Sequence, residues 1–185
     1  MRHLQLLAML VLAGSLAAQQ APEGPGLTPK TGAVFDNLYT NVFFGFNFRF
    51  PPEWEISFVA SDGSCAPECV LLEVRAPGYP KVARSVTVSA EAGAAARPGH
   101  LASAALVLEK TGSRKIFDRQ FEVGGHTLYR TDYRSQLVDS DLYQAVIAMP
   151  VKDYLIVFTF AAESRKQLDS FADGLAKDLT FTAAK

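Results

Sequence analysis

The stretch YTNVFFGFNFRFPPEWE, residues 39–55, contains the strongest structural signal in this chain. Every second residue from Phe44 to Phe50 is a phenylalanine, and small or polar residues fill the positions between. Because successive side chains of a β-strand point to opposite faces, the pattern predicts a strand over residues 43–50 with one aromatic face. Pro51 and Pro52 end this strand, since neither can donate a backbone hydrogen bond to a neighbouring strand.

The aromatic face of this strand has two interpretations, a ligand-binding surface or part of the core. Four exposed phenylalanines in a row would form an apolar patch of a size that soluble monomers avoid. Burial of each ring contributes about 2 kcal/mol to folding. We therefore expect the phenylalanines, Phe46 and Phe48 above all, to be buried under the helices predicted below.

Further alternating segments, separated by turn residues, predict more strands. They cover residues 69–75, 85–90, 115–123, 126–135, 142–149 and 154–161, with a short last strand at 179–182. Gly124 and Gly125 join two of them and supply the positive φ angles of a tight hairpin. The segments 142–149 and 154–161 are apolar on both faces, which predicts a sheet covered on both sides by helices and long connections.

Two segments predict helices instead. Over residues 164–177 the apolar residues recur at helical spacing, and Ser164 with Gln167 three residues later is typical of a capping box. Leu101, Ala104, Ala105 and Leu108 form a weaker apolar stripe that ends before Gly112, a predicted C-terminal cap. The element order predicts an α+β fold, a mostly antiparallel sheet of about six or seven strands flanked by helices.

The N-terminal segment predicts export. A basic Arg2, an apolar run and the small residues Ser15 and Ala17 indicate a signal peptide over residues 1–17. Ser15 stands where a lipoprotein box requires cysteine, so we expect no lipid anchor and no membrane insertion after cleavage. Residues 18–33 are rich in proline and glycine and predict a flexible linker that packs against nothing essential. Residues 34–185 then form a single domain.

The charge distribution limits the classes of partner. The chain has 18 lysines and arginines against 19 aspartates and glutamates, a net charge of −1. These charges are scattered, whereas nucleic acids and anionic membranes require a concentrated basic field. We therefore expect neither as a main partner.

Several of these elements together resemble the PsbP-like superfamily. They are Tyr39 and Asn41, the Gly-Phe-x-Phe-x-Phe-Pro strand at 45–51, Trp54, and the closing strand, helix and Leu-x-Phe at 154–181. The resemblance implies an α/β/α sandwich used as a non-catalytic binding or assembly module. The superfamily includes the extrinsic photosystem II subunit, a Ran-binding import factor and bacterial envelope proteins, but no partner-binding residue of the first two matches this sequence.

Residues that could carry chemistry are few. Cys65 and Cys69 are the only cysteines, and in an oxidising compartment they most simply form a disulfide. Beyond the signal peptide the histidines are His100, at a predicted helix start, and His126, just after the Gly-Gly turn. Solvated histidines are ordinary at both places, so we predict no metal site and no cofactor. The segment Asp139-Ser140-Asp141 predicts a turn between strands and not a cation loop.

Three functional hypotheses remain at this stage. The first is an exported envelope module, not an enzyme, that binds a protein partner. The second is a carrier of a small apolar ligand between sheet and helix, with some of Tyr129, Tyr133, Tyr143 and Tyr154 as pocket walls. The third is a hydrolase without a recognisable motif.

Overall fold

The computed structural model describes residues 26–60, 65–78, 84–96 and 102–182. Within them the chain forms strands, two α-helices and one short 3-10 helix. The strands are β1 (Gly32–Phe35), β2 (Leu38–Asn41), β3 (Phe46–Arg49), β4 (Glu55–Val59), β5 (Glu68–Arg75), β6 (Ser85–Ala92), β7 (Arg114–Val123), β8 (His126–Gln136), β9 (Asp141–Val151), β10 (Tyr154–Ala162) and β11 (Leu179–Phe181). The helices are α1 (Ser103–Lys110) and α2 (Arg165–Asp178), and the 3-10 helix is Ala94–Ala96.

The strands form two antiparallel sheets. The larger has seven strands in the order β4-β5-β6-β10-β9-β8-β7, and the smaller has four in the order β1-β2-β3-β11. The two doubly apolar strands, β9 and β10, lie near the centre of the large sheet. Gly124 and Gly125 have φ angles of 56° and 81° and close the β7–β8 hairpin, which confirms that prediction.

The phenylalanines of β3 form the centre of the core. Phe46 is 0% exposed and Phe48 3%, so the interpretation of the stripe as core is confirmed. Their rings lie 5.9 Å and 5.5 Å from the ring of Phe158 on β10. The stripe is therefore buried mainly against the large sheet, not under two helices as expected, because a second sheet brings β3 face to face with β10.

The N-terminal half contains strands that the sequence patterns did not predict. The predicted strand 43–50 is shorter, because residues 42–45 turn and Gly45 adopts a φ of 72°. β1 and β2, each four residues long, form a hairpin whose two turn residues, Asp36 and Asn37, both have positive φ. β4 is an exposed edge strand that the sequence analysis missed, although Ile56 and Phe58 alternate with Glu55 and Ser57.

The predicted linker ends earlier than expected. β1 begins at Gly32, inside the segment 18–33, and Pro29 is buried. The carbonyl of Pro29 accepts a hydrogen bond from Nδ2 of Asn41 at 2.9 Å. The prediction of a flexible linker is therefore wrong at its C-terminal end, because Pro29 is buried and hydrogen-bonded to Asn41 and residues 32 and 33 belong to β1. Residues 18–25 and the predicted signal peptide lie outside the described residues.

Helix α2 covers one end of the core between the sheets. Ser164 caps it, with Oγ accepting a hydrogen bond from the backbone N of Gln167 at 3.3 Å. Leu168, Ala172 and Leu175 form its buried stripe. The chain then becomes extended at once and enters β11, where Leu179 pairs with Phe48 of β3.

Helix α1 packs on the opposite face of the large sheet, against a smaller cluster that includes Tyr133, Leu155 and Val157. Its N-terminus is capped from a distance: the carboxylate of Glu91 on β6 accepts hydrogen bonds from N and Oγ of Ser103 at 2.8 and 2.9 Å. A search of the described residues for a helix with the length and apolarity to cross a membrane finds none.

Candidate functional site: an aromatic crevice beside helix α2

A crevice of about 230 Å³ opens between α2, β3 and the β6–β10 part of the large sheet. Its floor consists of four buried apolar side chains, Phe48, Trp54, Val86 and Phe160. Its rim consists of Arg49, Pro51, Ser170, Phe171, Gly174 and Asp178. The ring of Phe171 meets the indole of Trp54 edge to face at 5.1 Å, which is a favoured aromatic geometry.

The rim carries one positive and one negative side chain. The guanidinium of Arg49 is exposed and donates from Nη1 to Oδ1 of Asn37 at 3.3 Å and to the carbonyl of Asp36 at 3.4 Å. Burial raises the pKa of Asp178, although the charges of Arg49 and Lys177 oppose the shift. Asp178 is also the last residue of α2, where the helix dipole disfavours a negative charge. This carboxylate therefore lies where it lowers the stability of the fold.

Gly174 forms the helical wall of the crevice. A glycine in the interior of a helix costs about 1 kcal/mol relative to alanine. A β-carbon added at Gly174 would meet Oδ2 of Asp178 at 3.4 Å, which is an ordinary contact. The packing of the fold therefore does not require glycine here. The consequence of the missing side chain is the open space of the crevice.

The opposite flank of α2 is fixed by a group of charged side chains, which we call the α2 ion cluster. Its members are Arg119 on β7, Arg130 and Asp132 on β8, and Arg165, Asp169 and Asp173 on α2. Three guanidinium groups and three carboxylates balance in charge. The cluster joins α2 to one end of the large sheet and leaves the crevice flank without such a clamp.

The geometry of the ion cluster centres on Arg130. Its Nε and Nη2 donate to the two carboxylate oxygens of Asp132 at 2.8 Å, and Nη1 and Nη2 reach Asp173 and Asp169 at 2.9 and 2.8 Å. Burial alone would raise the pKa of Asp169, but hydrogen bonds from Arg165 and Arg130 outweigh it and lower the pKa. The ring of Phe117 lies 5.1 Å from the guanidinium carbon of Arg130. Each of the three guanidinium groups is paired with a carboxylate of the cluster, which indicates a structural role for the cluster.

The four tyrosines named from the sequence do not meet. Tyr129 and Tyr133 lie on one face of the large sheet, where Tyr133 is buried and donates from its hydroxyl to Oε1 of Glu109 at 3.0 Å. Tyr143 and Tyr154 lie on the other face and pack against the main core. At most two of them can therefore line one pocket, and none lines the crevice.

The remaining predicted residues lie away from the crevice. Cys65 and Cys69 form the expected disulfide, with α-carbons 5.1 Å apart. The ring of His126 stacks on the ring of Phe181, with the ring centres 4.0 Å apart. His100 lies outside the described residues. Asp141 begins β9 and pairs with Arg134 at 2.6 Å, so the segment 139–141 is a turn and strand start, as predicted.

A second cavity of about 270 Å³ lies on the other side of the large sheet, beside α1. Its lining residues are Glu68, Ser103, Ala104, Val107, Leu108, Gln144 and Thr159. No aromatic ring lines it, and Glu68 and Val107 are exposed. It therefore lacks the aromatic floor that distinguishes the crevice beside α2. Sequence reasoning missed the crevice, although the mid-helix Gly174 on the flank of an otherwise regular helix was a usable signal.

Comparison with known proteins identifies the fold. No model of a protein family matches the chain, and no curated protein matches it. Among solved structures it resembles cyanobacterial PsbP (CyanoP) from Synechocystis, with a TM-score of 0.54 and 15% identity over 81% of this chain and 95% of that one. It also matches LpqN, involved in cell envelope biogenesis of Mycobacterium tuberculosis, with a TM-score of 0.45 and 14% identity over 75% of this chain and 83% of that one.

The chain therefore has a PsbP-like α+β fold, with a seven-stranded antiparallel sheet, a four-stranded sheet and two helices. This confirms the fold that the resemblance implied. Because unrelated functions share folds at this level of identity, the likeness identifies the architecture and transfers no activity.

Proposed function

We propose that this protein is an exported, non-catalytic binding module that recognises a protein partner in the cell envelope through the aromatic crevice. The observation that supports this most directly is that two rim residues of α2 are unfavourable at their positions in the helix: Gly174 lies in its interior and the carboxylate of Asp178 at its C-terminal end. Natural sequences break such local rules at functional sites more than elsewhere. The aromatic floor then offers the kind of pocket in which interface hot spots lie.

The size of the crevice favours a protein partner over a carried small ligand. Pockets that enclose a complete drug-sized ligand measure about 300–1,000 Å³. The crevice, at about 230 Å³, is smaller than this range. It can hold one side chain of a partner, whereas most of a lipid tail or similar ligand would stay in water.

The hydrolase alternative receives no support at this site. Among the described residues none of those that line the crevice is a histidine, so Ser170 and Asp178 lack a base between them. His126, the one histidine that the structure describes, stacks on Phe181 outside the crevice lining.

A photo-crosslinking experiment tests the proposal. A benzophenone amino acid at Ser170, exposed on the crevice rim, is introduced into the protein in its own host cell, and the matched control carries it at the exposed Ala176. We expect one discrete protein adduct through position 170 that is absent through position 176 and lost when Gly174→Leu fills the crevice. Identical adduct patterns at the two positions, or no adduct at 170, would reject the proposal.

A further inference from the structure

The crevice is divided into an apolar depth and a polar mouth. The floor residues Phe48, Trp54 and Phe160 are each at most 5% exposed and present rings. The charged side chains Arg49 and Asp178 belong to the rim. An occupant that matches this division has an apolar end that enters and polar groups that remain at the mouth.

The rim charges limit what those polar groups can be. A free carboxylate would match Arg49 but would face the carboxylate of Asp178, and a free ammonium would match Asp178 but face Arg49. In either case two like charges would lie together in a partly desolvated site, where their repulsion is stronger than in water. A neutral group with both a donor and an acceptor satisfies both. The peptide unit is such a group, with N–H for Asp178 and C=O for Arg49.

The side chains around the crevice favour an occupant whose apolar end is a flat aromatic ring. Trp54 and Phe171 already meet edge to face, and aromatic pairs in such arrangements gain energy beyond the area they bury. Gly174 has no side chain, and Oδ2 of Asp178 lies 3.4 Å from where its β-carbon would be, so a planar ring can approach the helix there and meet the carboxylate at its edge.

From these features we infer that the crevice receives a single aromatic side chain of a partner polypeptide, and that Arg49 and Asp178 hydrogen-bond the peptide groups that flank it. This inference rests on the binding function proposed above and adds the chemistry of the anchor. It assigns three roles: aromatic contact to the floor, peptide recognition to Arg49 and Asp178, and access to Gly174.

Small probes test the anchor directly. N-acetyl-tryptophanamide carries an indole with peptide groups on both sides, and 3-methylindole is the same ring without them. The exported form of the protein, labelled with ¹⁵N, is titrated with each, and the indole N–H signal of Trp54, the one tryptophan of the chain, reports occupancy. We expect N-acetyl-tryptophanamide to bind with a Kd on the order of 1 mM, as befits a ligand of this size, and to shift Trp54 and residues 170–174.

Variants separate the roles. Asp178→Ala and Arg49→Met should each raise the Kd of N-acetyl-tryptophanamide by about 10-fold, the usual effect of losing a hydrogen bond to a charged group. Neither substitution should change the Kd of 3-methylindole. Gly174→Leu should abolish the binding of both probes. Unchanged amide signals away from the crevice would show that this variant is folded. N-acetyl-alaninamide, which has the peptide groups but no ring, is the control probe and should not shift Trp54.

The outcomes distinguish this inference from the proposed function. If 3-methylindole binds as tightly as N-acetyl-tryptophanamide and the rim variants change neither, peptide recognition is refuted and the site takes a plain apolar group. If no probe shifts Trp54 while the crosslink through position 170 persists, the partner binds without an aromatic anchor and only this inference is wrong. If both experiments are negative, the proposed function fails with it.

Discussion

Arg130 and Asp132, two residues apart on β8, form a two-point ion pair in which both side chains are at most 1% exposed. Side chains at i and i+2 of a strand share a face, which brings the pair under α2. Asp132 also accepts from Arg165 at 3.0 Å, so this carboxylate neutralises a strand arginine and a helix arginine together. The pair thereby connects the position of α2, and with it one wall of the crevice, to the large sheet.

Loss of the Asp132 side chain should therefore lower the free energy of unfolding strongly. In Asp132→Ala the guanidinium of Arg130 remains buried without its main counter-charge, and breaking a buried pair on one side costs about 3–5 kcal/mol. Urea unfolding measures the change. Asp118→Ala, which removes the exposed partner of Lys115, is the control and should change stability by less than about 1 kcal/mol. Equal effects of the two substitutions would show that α2 does not depend on the cluster.

The phenylalanine stripe predicts a large cost of truncation. Phe46→Ala should lower the free energy of unfolding by about 3–5 kcal/mol through lost transfer energy and the cavity left against Phe158. Phe35, on the neighbouring β1 hairpin, is 85% exposed, so Phe35→Ala is the matched control and should have little effect. A small loss in Phe46→Ala would mean that the two sheets do not share their core through β3.

Two aspartates of α2 should respond to acid in opposite directions. The pKa of Asp169 is lowered from 3.8, so its stabilising effect is present above that pH and is lost as the pH falls through its folded value. The pKa of Asp178 is raised from 3.8, so its ionised form destabilises the fold, and this penalty disappears as the pH falls.

Denaturation at pH 3 and pH 7 measures both effects. At pH 7 Asp169→Asn should be less stable than the parent protein and Asp178→Asn more stable, and both differences should shrink at pH 3. The same sign for the two variants at pH 7 would contradict this assignment.

Replacement of Gly174 by alanine should stabilise the protein. Gly174→Ala should raise the free energy of unfolding by about 1 kcal/mol, because alanine has the higher helix propensity and its β-carbon has room. Gly125→Ala is the control with opposite sign, since Gly125 has a φ of 81° in the β7–β8 turn, where alanine is strained. A loss of stability in Gly174→Ala would indicate a packing reason for the glycine and weaken the case for the crevice.

The disulfide should make only a small contribution to the free energy of unfolding. Cys65 and Cys69 are separated by four positions, so their bond closes a very short loop and removes little entropy from the unfolded chain. Replacement of both by alanine should cost about 2 kcal/mol, the low end of the usual range. Alkylation of the exported protein without reductant, followed by mass spectrometry, should find neither thiol modified, and two alkylated cysteines would refute the bond in the cell.

Local patterns in the sequence were sufficient for much of the fold. Alternation along residues 46–49 and on β5 to β10, the Gly124-Gly125 turn and the Ser164 cap are signals carried by neighbours in the chain, and each predicted its element. The short strands β1, β2 and β4 were missed, since each is only four or five residues long and is held as a strand by pairing with its neighbour in the sheet.

The candidate site was decided by tertiary structure. The tyrosines predicted as pocket walls are divided between the two faces of the large sheet, since which face an alternating strand presents to which layer depends on the whole assembly. The crevice joins Phe48 and Trp54 to Phe160 and Gly174, more than a hundred positions away. Sequence alone determined the α+β class, the buried phenylalanines and the disulfide, because these depend on local periodicity and proximity along the chain. The crevice and the α2 ion cluster arise only where separate elements pack together.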